Sequence, residues 1–205
     1  MNDEARAARV AQPADAPGMA AALASAFFAD PVIAWALPDA AQRLRRLTRL
    51  YTAIARYEQV PSGTTLVAED ADSRIVGVAQ WRKRGARGRL SWRDVPFSLA
   101  AGRALGTNVG RMARVGAAAS GVRPREPHWY LELLGVAADV QRGGFGSALV
   151  RGGLERVDAD RLPAHLETTE ENLAFYARLG FRVTEEIRIA RTAPMQYSLL
   201  RDPVL

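Results

Sequence analysis

A glycine-rich loop between a predicted strand and a predicted helix constrains the fold of this chain more than any other segment. The strand covers residues 128–136, residues 141–147 read Gln-Arg-Gly-Gly-Phe-Gly-Ser, and the helix runs from Gly144 to about Asp158. Glycines let a ligand approach the backbone closely, and a helix start offers unpaired N–H groups at the positive end of its dipole. The segment is therefore typical of a phosphate site, to which Arg142 adds a positive charge.

Two common nucleotide motifs do not fit this loop. A Walker loop would end in Gly-Lys-Ser/Thr, which is absent here. In the dinucleotide fingerprint Gly-x-Gly-x-x-Gly, Leu149 stands where the third glycine is required. Glu167, on the next predicted strand, would bind ribose only beside that fingerprint, so it receives no role. A tight strand-to-helix turn without a ligand remains the structural alternative.

The rest of the chain mixes helices and strands, which predicts an α+β fold. Periodicity and turn residues predict strands at 9–11, 64–69, 75–81, 128–136, 164–167, 181–189 and 195–200, and helices at 15–28, 39–59, 144–158 and 168–179. In the last helix, Thr168 and Glu171 have capping-box spacing and Gly180 suits a left-handed stop. The segment 82–127 is long for a loop and is predicted to be a helical insertion in a single domain covering residues 1–205.

Composition excludes several kinds of site. The chain has no cysteine, which excludes disulfides, thiolate metal sites and a cysteine nucleophile, and its two histidines lack a nearby carboxylate cluster, so we expect no metal. No apolar run reaches the ~18 residues of a membrane span, and the N-terminus lacks a secretory apolar region. We therefore expect a cytoplasmic protein without a membrane partner. The net charge of +6 comes almost entirely from arginine and is clustered only at 82–93, which makes nucleic-acid binding a weaker alternative.

Two motifs in the second half of the chain resemble those of the GNAT N-acyltransferase superfamily. Gln141-x-x-Gly144-x-Gly146 is similar to the Gln/Arg-x-x-Gly-x-Gly/Ala signature of that family, and Leu-Leu-Gly-Val-Ala at 133–137 resembles the strand before it. Downstream, Asn-x-x-Phe-Tyr-x-x-x-Gly-Phe at 172–181 resembles the second family motif. The resemblance is specific over about residues 128–183 and compatible in element order over 9–81.

The resemblance implies a fold and a cofactor. It implies a mixed, mostly antiparallel sheet of six to seven strands that splays open near Leu133–Val136, with acetyl-CoA lying in the split. Backbone groups of Leu134 and Val136 would pair with the pantetheine arm, much as an added strand does. The remaining cofactor contacts implied by the motifs are Gln141, Arg142, Gly143, Gly144, Gly146, Ser147, Asn172 and Tyr176. A structural asparagine at the surface is the alternative for Asn172.

Acetyl transfer to an amine requires a base, a stabilised oxyanion and a proton donor. By resemblance, the Val136 N–H is expected to stabilise the oxyanion and the Tyr176 hydroxyl to protonate the thiolate. Without the resemblance, Tyr176 would be read as a core residue on the helical face it shares with Asn172 and Phe175. Glu132 is the expected base because a carboxylate in a central apolar strand is unusual; a salt bridge to an arginine is an equal alternative. His128 is a weaker candidate.

The acceptor amine is less well defined. A pattern of Asp30-Pro31, Trp35 and Pro38-Asp39, then a helical insert and His-Trp-Tyr-Leu at 128–131, resembles small-molecule N-acetyltransferases, including puromycin-type resistance enzymes. This resemblance implies a small primary amine acetylated by direct transfer. Phe28, Trp35, Trp81 and Tyr130 are expected to line its pocket, although residues like the first three more often belong to a core. An inactive acyl-CoA-binding module and a peptide or protein N-acetyltransferase are the alternatives. A homodimer is compatible with the sequence, which has no feature that decides it.

Overall fold

The computed structural model describes residues 8–84 and 95–204, which form a seven-stranded sheet flanked by helices. In chain order the strands are β1 Arg9–Val10, β2 Thr65–Glu69, β3 Ile75–Arg84, β4 His128–Val136, β5 Ala164–Thr168, β6 Arg182–Arg188 and β7 Met195–Arg201. Across the sheet they follow the order β1-β2-β3-β4-β5-β7-β6, and each neighbouring pair is antiparallel except β4 and β5. The α+β class and the mixed, mostly antiparallel sheet expected from the sequence are confirmed.

Helices lie on both faces of this sheet. They are α1 Ala16–Phe27, α2 Pro31–Ala36, α3 Ala40–Ile54, α4 Val60–Ser62, α5 Val95–Leu105, α6 Val109–Gly121, α7 Phe145–Ala159 and α8 Leu173–Ala177. A π-helical turn, Ala55–Gln59, joins α3 to α4. No helix within the described ranges has the length and apolar character that a membrane crossing would need. The basic connection considered for nucleic-acid binding lies mostly outside the described residues.

Strand alternation divides the apolar side chains between two cores. Val67 on β2 and Val78 on β3 pack against α1 and α3, whereas their neighbours Leu66 and Ala79 pack against α7 on the opposite face. The α1–α3 core is filled by fully buried residues such as Leu23. The two layers hold the central strands rigidly, so the positions of β3 and β4 are fixed from both sides.

Aspartates that cap short helices explain the breaks on the N-terminal side. The Asp30 carboxylate accepts a hydrogen bond of 2.8 Å from the Ile33 N–H and begins α2, with Pro31 as the first helical residue. Asp39 does the same for α3, where it accepts a 3.0 Å hydrogen bond from the Ala41 N–H. These caps place the short helix α2 between α1 and α3.

The sheet opens between its two parallel strands. β4 pairs with β5 only at Trp129 and Tyr130, which lie opposite Ala164 and His165. Beyond these residues β4 continues along β3 to Val136, while β5 continues along β7. We call the resulting opening between 131–136 and 166–168 the strand gap. The splay expected near Leu133–Val136 is therefore present and begins two residues earlier.

A β-bulge interrupts β4 within the strand gap. Leu131 pairs with Trp81 on β3 and Leu133 pairs with Gln80, so two successive residues of β3 face three residues of β4. Glu132 is the extra residue and has no partner on β3. The bulge therefore bends β4 at the point where its neighbour β5 departs.

The bulge also changes the face that the following side chains meet. Leu133 packs against the α1–α3 core, whereas Leu134 and Val136 pack on the α7 side. Unbroken alternation along β4 would put Tyr130, Glu132 and Leu134 on one face, and the bulge prevents this. Strict alternation holds only for a strand without an inserted residue, and the insertion cannot be read from the apolar pattern.

Candidate active site

The backbone N–H groups of Leu134 and Val136 point into the strand gap. Along an antiparallel pair, residues that exchange hydrogen bonds alternate with residues whose N–H and C=O groups point away. Ala137 donates its N–H to the Val76 carbonyl over 2.8 Å, which fixes the phase of this alternation. Val136 and Leu134 then direct their amides away from β3, towards the side from which β5 has departed.

The glycine loop forms the start of α7 beside this gap. Gly144 precedes the helix with φ 90°, and Arg142 also has a left-handed backbone, with φ 65°. Across residues 8–84 and 95–204, no backbone carbonyl accepts a hydrogen bond from the amides of residues 145–147, the first turn of the helix. These free donors at a helix start have the geometry expected of an anion site.

Gly143 has a different part in the loop. Its amide donates to the Val140 carbonyl over 3.3 Å, so it serves the turn itself rather than a ligand. A Cβ atom at Gly143 would lie 2.9 Å from the same carbonyl oxygen, which requires glycine there. The expectation that Gly143 contacts the cofactor is therefore not supported through its amide.

Gln141 ties the loop to the end of β4. Its side-chain Nε2 donates a hydrogen bond of 3.1 Å to the Val136 carbonyl. The carbonyl belongs to the same residue whose amide points into the strand gap. Gln141 therefore holds the loop and the end of β4 in a fixed relationship, whether or not it also contacts a ligand.

Tyr176 on α8 lies close to the start of α7. A Cβ atom on Gly146 would be 3.7 Å from both the Val136 side chain and the Phe175 ring, so the first turn of α7 lies between β4 and α8. Tyr176 is 7% exposed, and its ring makes edge contacts with Phe175 at 4.9 Å and Phe181 at 5.7 Å. Tyr176 and Val136 thus belong to one apolar cluster at the strand gap.

The Tyr176 hydroxyl has no hydrogen-bond partner among the described side chains and backbone groups. Burial raises the pKa of the Tyr176 phenol above its usual value. The hydroxyl is therefore protonated at neutral pH, which is the form that a proton donor needs. The same packing also fits a core tyrosine, so geometry alone leaves both interpretations open.

The helix that carries Tyr176 is shorter than the sequence predicted. β5 extends through Thr168, which pairs with Tyr197 of β7, and a 3₁₀ turn at Glu170–Asn172 precedes α8. The predicted capping box at Thr168 was wrong, because sheet pairing takes that residue into β5. Gly180, with φ 86°, follows the helix in the left-handed conformation that was predicted.

Asn172 ends the 3₁₀ turn and is exposed. Its Nδ2 donates a hydrogen bond of 3.3 Å to Thr169 Oγ1. Thr169 in turn donates from the same hydroxyl to a Glu171 carboxylate oxygen over 3.2 Å. Asn172 therefore stabilises the entry to α8 while its exposed face remains accessible to a ligand.

A polar cluster occupies the opposite face of the sheet, at the point where β4 and β5 part. The Tyr130 hydroxyl donates a 2.6 Å hydrogen bond to Glu167 Oε2 and accepts one of 2.8 Å from Arg123 Nη2. The Arg123 guanidinium also lies over the Tyr130 ring, 4.3 Å from its centroid. Burial raises the pKa of Glu167, although Tyr130 and Arg123 act in the opposite direction.

Glu132, the bulge residue, contacts arginines. Its Oε2 lies 2.5 Å from Arg82 Nε, and its Oε1 lies 3.6 Å from Arg84 Nη2. Arg82 also forms an ion pair with Glu58 of the π-helical turn after α3. Of the two interpretations that the sequence left open, base or salt bridge, the salt bridge is the one that the structure contains.

The two histidines extend this polar face into the protein. His128 Nδ1 lies 2.8 Å from the Glu126 carbonyl oxygen, and His165 Nε2 lies 3.0 Å from Ser198 Oγ. Burial lowers the pKa of both, and that of His165 to about 3. Both rings are therefore neutral at physiological pH, and Tyr130 stacks on His165 with their centroids 5.7 Å apart.

The aromatic residues expected to line the acceptor pocket fall in different places. Trp81 does not line it: the residue is 1% exposed and lies under α7, where the Gly153 backbone leaves room for its indole. Alternation along β3 puts Trp81 on the same α7 face as Ala79, opposite Tyr130. Phe28 is 37% exposed at the end of α1, beneath the Arg43 guanidinium.

Trp35 on α2 connects three elements around the acceptor side. Its Nε1 donates a 3.2 Å hydrogen bond to Thr192 Oγ1, which lies in the turn between β6 and β7. Arg111 of α6 donates to the Trp35 carbonyl over 2.9 Å, and its guanidinium lies over the indole. Trp35 thus joins α2, α6 and the β6–β7 turn, whereas Trp81 belongs to the core.

Glu167 is the polar residue that sequence reasoning missed. The sequence placed it correctly on a strand but considered it only as a ribose ligand. The sequence feature that could have indicated Glu167 was a carboxylate near the end of a strand that the family resemblance places beside the opening of the sheet. Its pairing with Tyr130 and Arg123 joins residues 37 and 44 positions apart along the chain, so no local pattern shows it.

Comparison with known proteins agrees with this geometry. The model of the Acetyltransferase (GNAT) family matches residues 30–181. A Corynebacterium glutamicum structure, described as histone acetyltransferase HPA2 and related acetyltransferase, superposes with a TM-score of 0.70 and 24% identity over 97% of each chain. Arylalkylamine N-acetyltransferase 2 from Aedes aegypti has a TM-score of 0.63 and 11% identity, over 95% of this chain and 97% of its own.

A third solved structure has the same fold. Polyamine N-acetyltransferase from Drosophila melanogaster has a TM-score of 0.55 and 17% identity, over 95% of this chain and 98% of its own. The family match covers the glycine loop, the bulged strand and the helix that carries Tyr176. With a matched segment of more than half its length, the chain belongs to the GNAT acetyltransferase family.

Proposed function

We propose that this protein transfers the acetyl group of acetyl-CoA directly to the primary amine of a small molecule. The observation that carries the proposal is that two groups of backbone N–H donors without protein acceptors lie next to each other at the strand gap. One set is the amides of Leu134 and Val136, and the other is the amides at the start of α7. Acetyl-CoA supplies the activated acetyl group, and these residues would hold it.

The residues fit this cofactor by position and by charge. The free amides of residues 145–147 and the exposed Arg142 side chain would bind the pyrophosphate. The backbone of Leu134 would pair with the extended pantetheine arm in the place that β5 leaves vacant. The Val136 N–H would then donate to the thioester oxygen as negative charge develops there, a contribution of about 3 kcal/mol in comparable sites.

Tyr176 is the proposed proton donor to the departing sulfur. Its ring is fixed by Phe175 and Phe181, and its hydroxyl is protonated at neutral pH because burial raises the pKa of the phenol. It lies in the same apolar cluster as Val136, so donor and oxyanion site are held by one packed unit. A fixed donor of this kind typically contributes a factor of about 10² to 10⁴ in rate.

The acceptor side favours a small amine over an extended peptide. The contacts of Trp35 with Thr192 and Arg111 bring α2, α6 and the β6–β7 turn together over this side. A peptide would need an open groove across the same region. The solved relatives include a polyamine and an arylalkylamine N-acetyltransferase, so the fold accommodates small amines.

The test combines binding with turnover. We expect acetyl-CoA to raise the melting temperature, and a thiol-release assay across a library of small amines and short peptides to show turnover with small amines. Tyr176→Phe should lower kcat about 10²-fold while acetyl-CoA affinity stays within a factor of two or so. Tyr57→Phe, which removes a hydroxyl from an exposed residue, is the matched control.

Three outcomes would contradict the proposal. If acetyl-CoA did not raise the melting temperature, the protein would not use acetyl-CoA as its acetyl donor. Stabilisation without turnover on any amine, and no effect of Tyr176→Phe, would identify a binding module that does not catalyse. Turnover with peptides alone would replace the small-molecule acceptor by a peptide.

A further inference from the structure

We propose that Glu167 is the general base that deprotonates the acceptor ammonium, and that Tyr130 and Arg123 position its carboxylate. This inference rests on the proposed N-acetyltransferase function. Glu167 lies on β5 two residues beyond His165, the last residue that pairs with β4. It therefore stands on the edge of the strand gap, on the sheet face opposite α7.

One carboxylate oxygen of Glu167 accepts a hydrogen bond and the other does not. Oε2 accepts the 2.6 Å hydrogen bond from Tyr130. Oε1 is buried without a hydrogen-bond partner in the described part of the chain, and its nearest cation is Arg123, with Nε at 3.5 Å. Buried acceptors almost always have a donor, so Oε1 is suited to an N–H or to a water that leads to one.

The surroundings of Glu167 favour proton uptake. Its side chain is only 7% exposed, and this burial raises the pKa of the carboxyl above its usual range. The hydrogen bond from Tyr130 and the charge of Arg123 lower the pKa of Glu167, but by less than burial raises it. A carboxylate whose pKa is raised by burial accepts a proton more readily than an exposed one.

Glu132 is engaged in a different role. Arg82 and Arg84 flank its two carboxylate oxygens, and Arg82 is held in turn by Glu58. This chain of charges links the π-helical turn after α3 to the bulge of β4. Glu132 is therefore a positioning residue that holds the bulge, whereas Glu167 has one arginine contact, at 3.5 Å, and lies at the edge of the strand gap.

The proton balance of the step is complete. Glu167 takes one proton from R–NH₃⁺ through an intervening water and leaves neutral R–NH₂. The amine nitrogen forms the new C–N bond to the acetyl carbon as the C–S bond breaks. The second N–H proton replaces the one that Tyr176 gives to sulfur, and Glu167 releases its proton to solvent. The net reaction yields the amide, the thiol and one proton.

Glu167→Gln tests the assignment with an isosteric side chain that still accepts the Tyr130 hydrogen bond. At pH 7 we expect kcat/KM to fall about 10²-fold, with acetyl-CoA affinity unchanged. The deficit should shrink about tenfold per pH unit as the solution approaches the pKa of the amine, because the free amine then needs no base. Glu185→Gln, at an exposed glutamate on β6, is the matched control.

The pH profiles of kcat/KM for the wild-type protein and the variants separate this inference from the proposed function. If the wild-type protein neither binds acetyl-CoA nor acetylates an amine, the proposed function fails and the role of Glu167 fails with it. If the wild-type protein is active and Glu167→Gln retains its activity, only the base assignment fails. A deficit that is the same at every pH would identify a structural role and would also overturn it. For Glu132→Gln we expect any loss of kcat/KM to be the same at every pH, so that its pH profile runs parallel to that of the wild-type protein.

Discussion

The Tyr130 hydroxyl donates a hydrogen bond of 2.6 Å to Glu167 Oε2 across the point where two parallel strands part. Tyr130 is 3% exposed, so this contact lies in the interior of the protein. The same hydroxyl accepts a hydrogen bond from Arg123, which follows α6. One phenol therefore connects the helical segment before β4 to the open edge of β5.

Tyr130→Phe should alter both stability and pH dependence. It leaves Glu167 Oε2 without its donor and Arg123 Nη2 without its acceptor, which should lower the free energy of unfolding by about 1–3 kcal/mol. Because the lost hydrogen bond holds the pKa of Glu167 down, the acid limb of the kcat/KM profile should move to higher pH. Denaturant unfolding and a pH series measure the two effects. An unshifted limb would contradict the link to Glu167, and Tyr57→Phe is the control.

Gly144→Ala should weaken acetyl-CoA binding. Gly144 precedes α7 with φ 90°, where a Cβ costs roughly 1–2 kcal/mol, and relaxation of the strain would redirect the first-turn amides. We expect affinity to fall at least about tenfold in calorimetric titration. Gly116→Ala in α6, where nothing lies within 4 Å of the new methyl group, is the control. Equal affinity in the two variants would show that the loop geometry is not used for binding.

Gly152→Ala and Gly153→Ala should have opposite effects on stability, although they are neighbours on α7. A Cβ at Gly153 would lie 2.0 Å from the Trp81 indole nitrogen, so overpacking should cost about 1–3 kcal/mol. At Gly152 the nearest atoms are 3.4 Å away, and helix propensity should add up to about 1 kcal/mol. Thermal unfolding compares the two, and Trp81→Phe should partly rescue Gly153→Ala. Equal melting temperatures would contradict the packing of Trp81 under α7.

His165→Gln should flatten the pH dependence of stability between pH 7 and 5. Burial and the nearby His128 and Arg123 lower the pKa of His165 from 6.5 to about 3 in the folded protein. Below pH 6.5 His165 therefore binds a proton in the unfolded chain but stays neutral in the folded chain. The free energy of unfolding consequently falls as the pH falls. The wild-type protein should lose up to about 2 kcal/mol more than the variant by pH 5. Chemical denaturation at several pH values measures this difference, and parallel curves would exclude His165 as its source.

Local patterns in the sequence were sufficient to locate most elements of the site. The loop at 141–147 was recognisable because glycines and a helix start follow a strand within a few residues. The helix predicted from Gly144 begins at Phe145, and the left-handed glycine at Gly180 is where it was expected. Each of these features depends on contacts between residues that are close along the chain.

Errors arose wherever a distant strand decided the outcome. Pairing with β7 takes Thr168 into β5 and displaces the predicted cap. The register with β3 inserts Glu132 as a bulge and moves Leu134 to the other face. Trp81 lies on the α7 face with Ala79, and only the packing of the sheet between two helical layers shows that this face is core.

The sequence by itself determined the family motifs, the phosphate-type loop, the α+β class and the helix with Tyr176, because short-range backbone preferences and apolar periodicity specify them. Only the tertiary structure decided which partners the two carboxylates have. Glu132 meets Arg82 and Arg84, whereas Glu167 is buried beside Tyr130 and Arg123, with one oxygen that accepts no hydrogen bond. The physical reason is that burial and charge pairing depend on residues brought together from separate strands, which no single segment of the sequence contains.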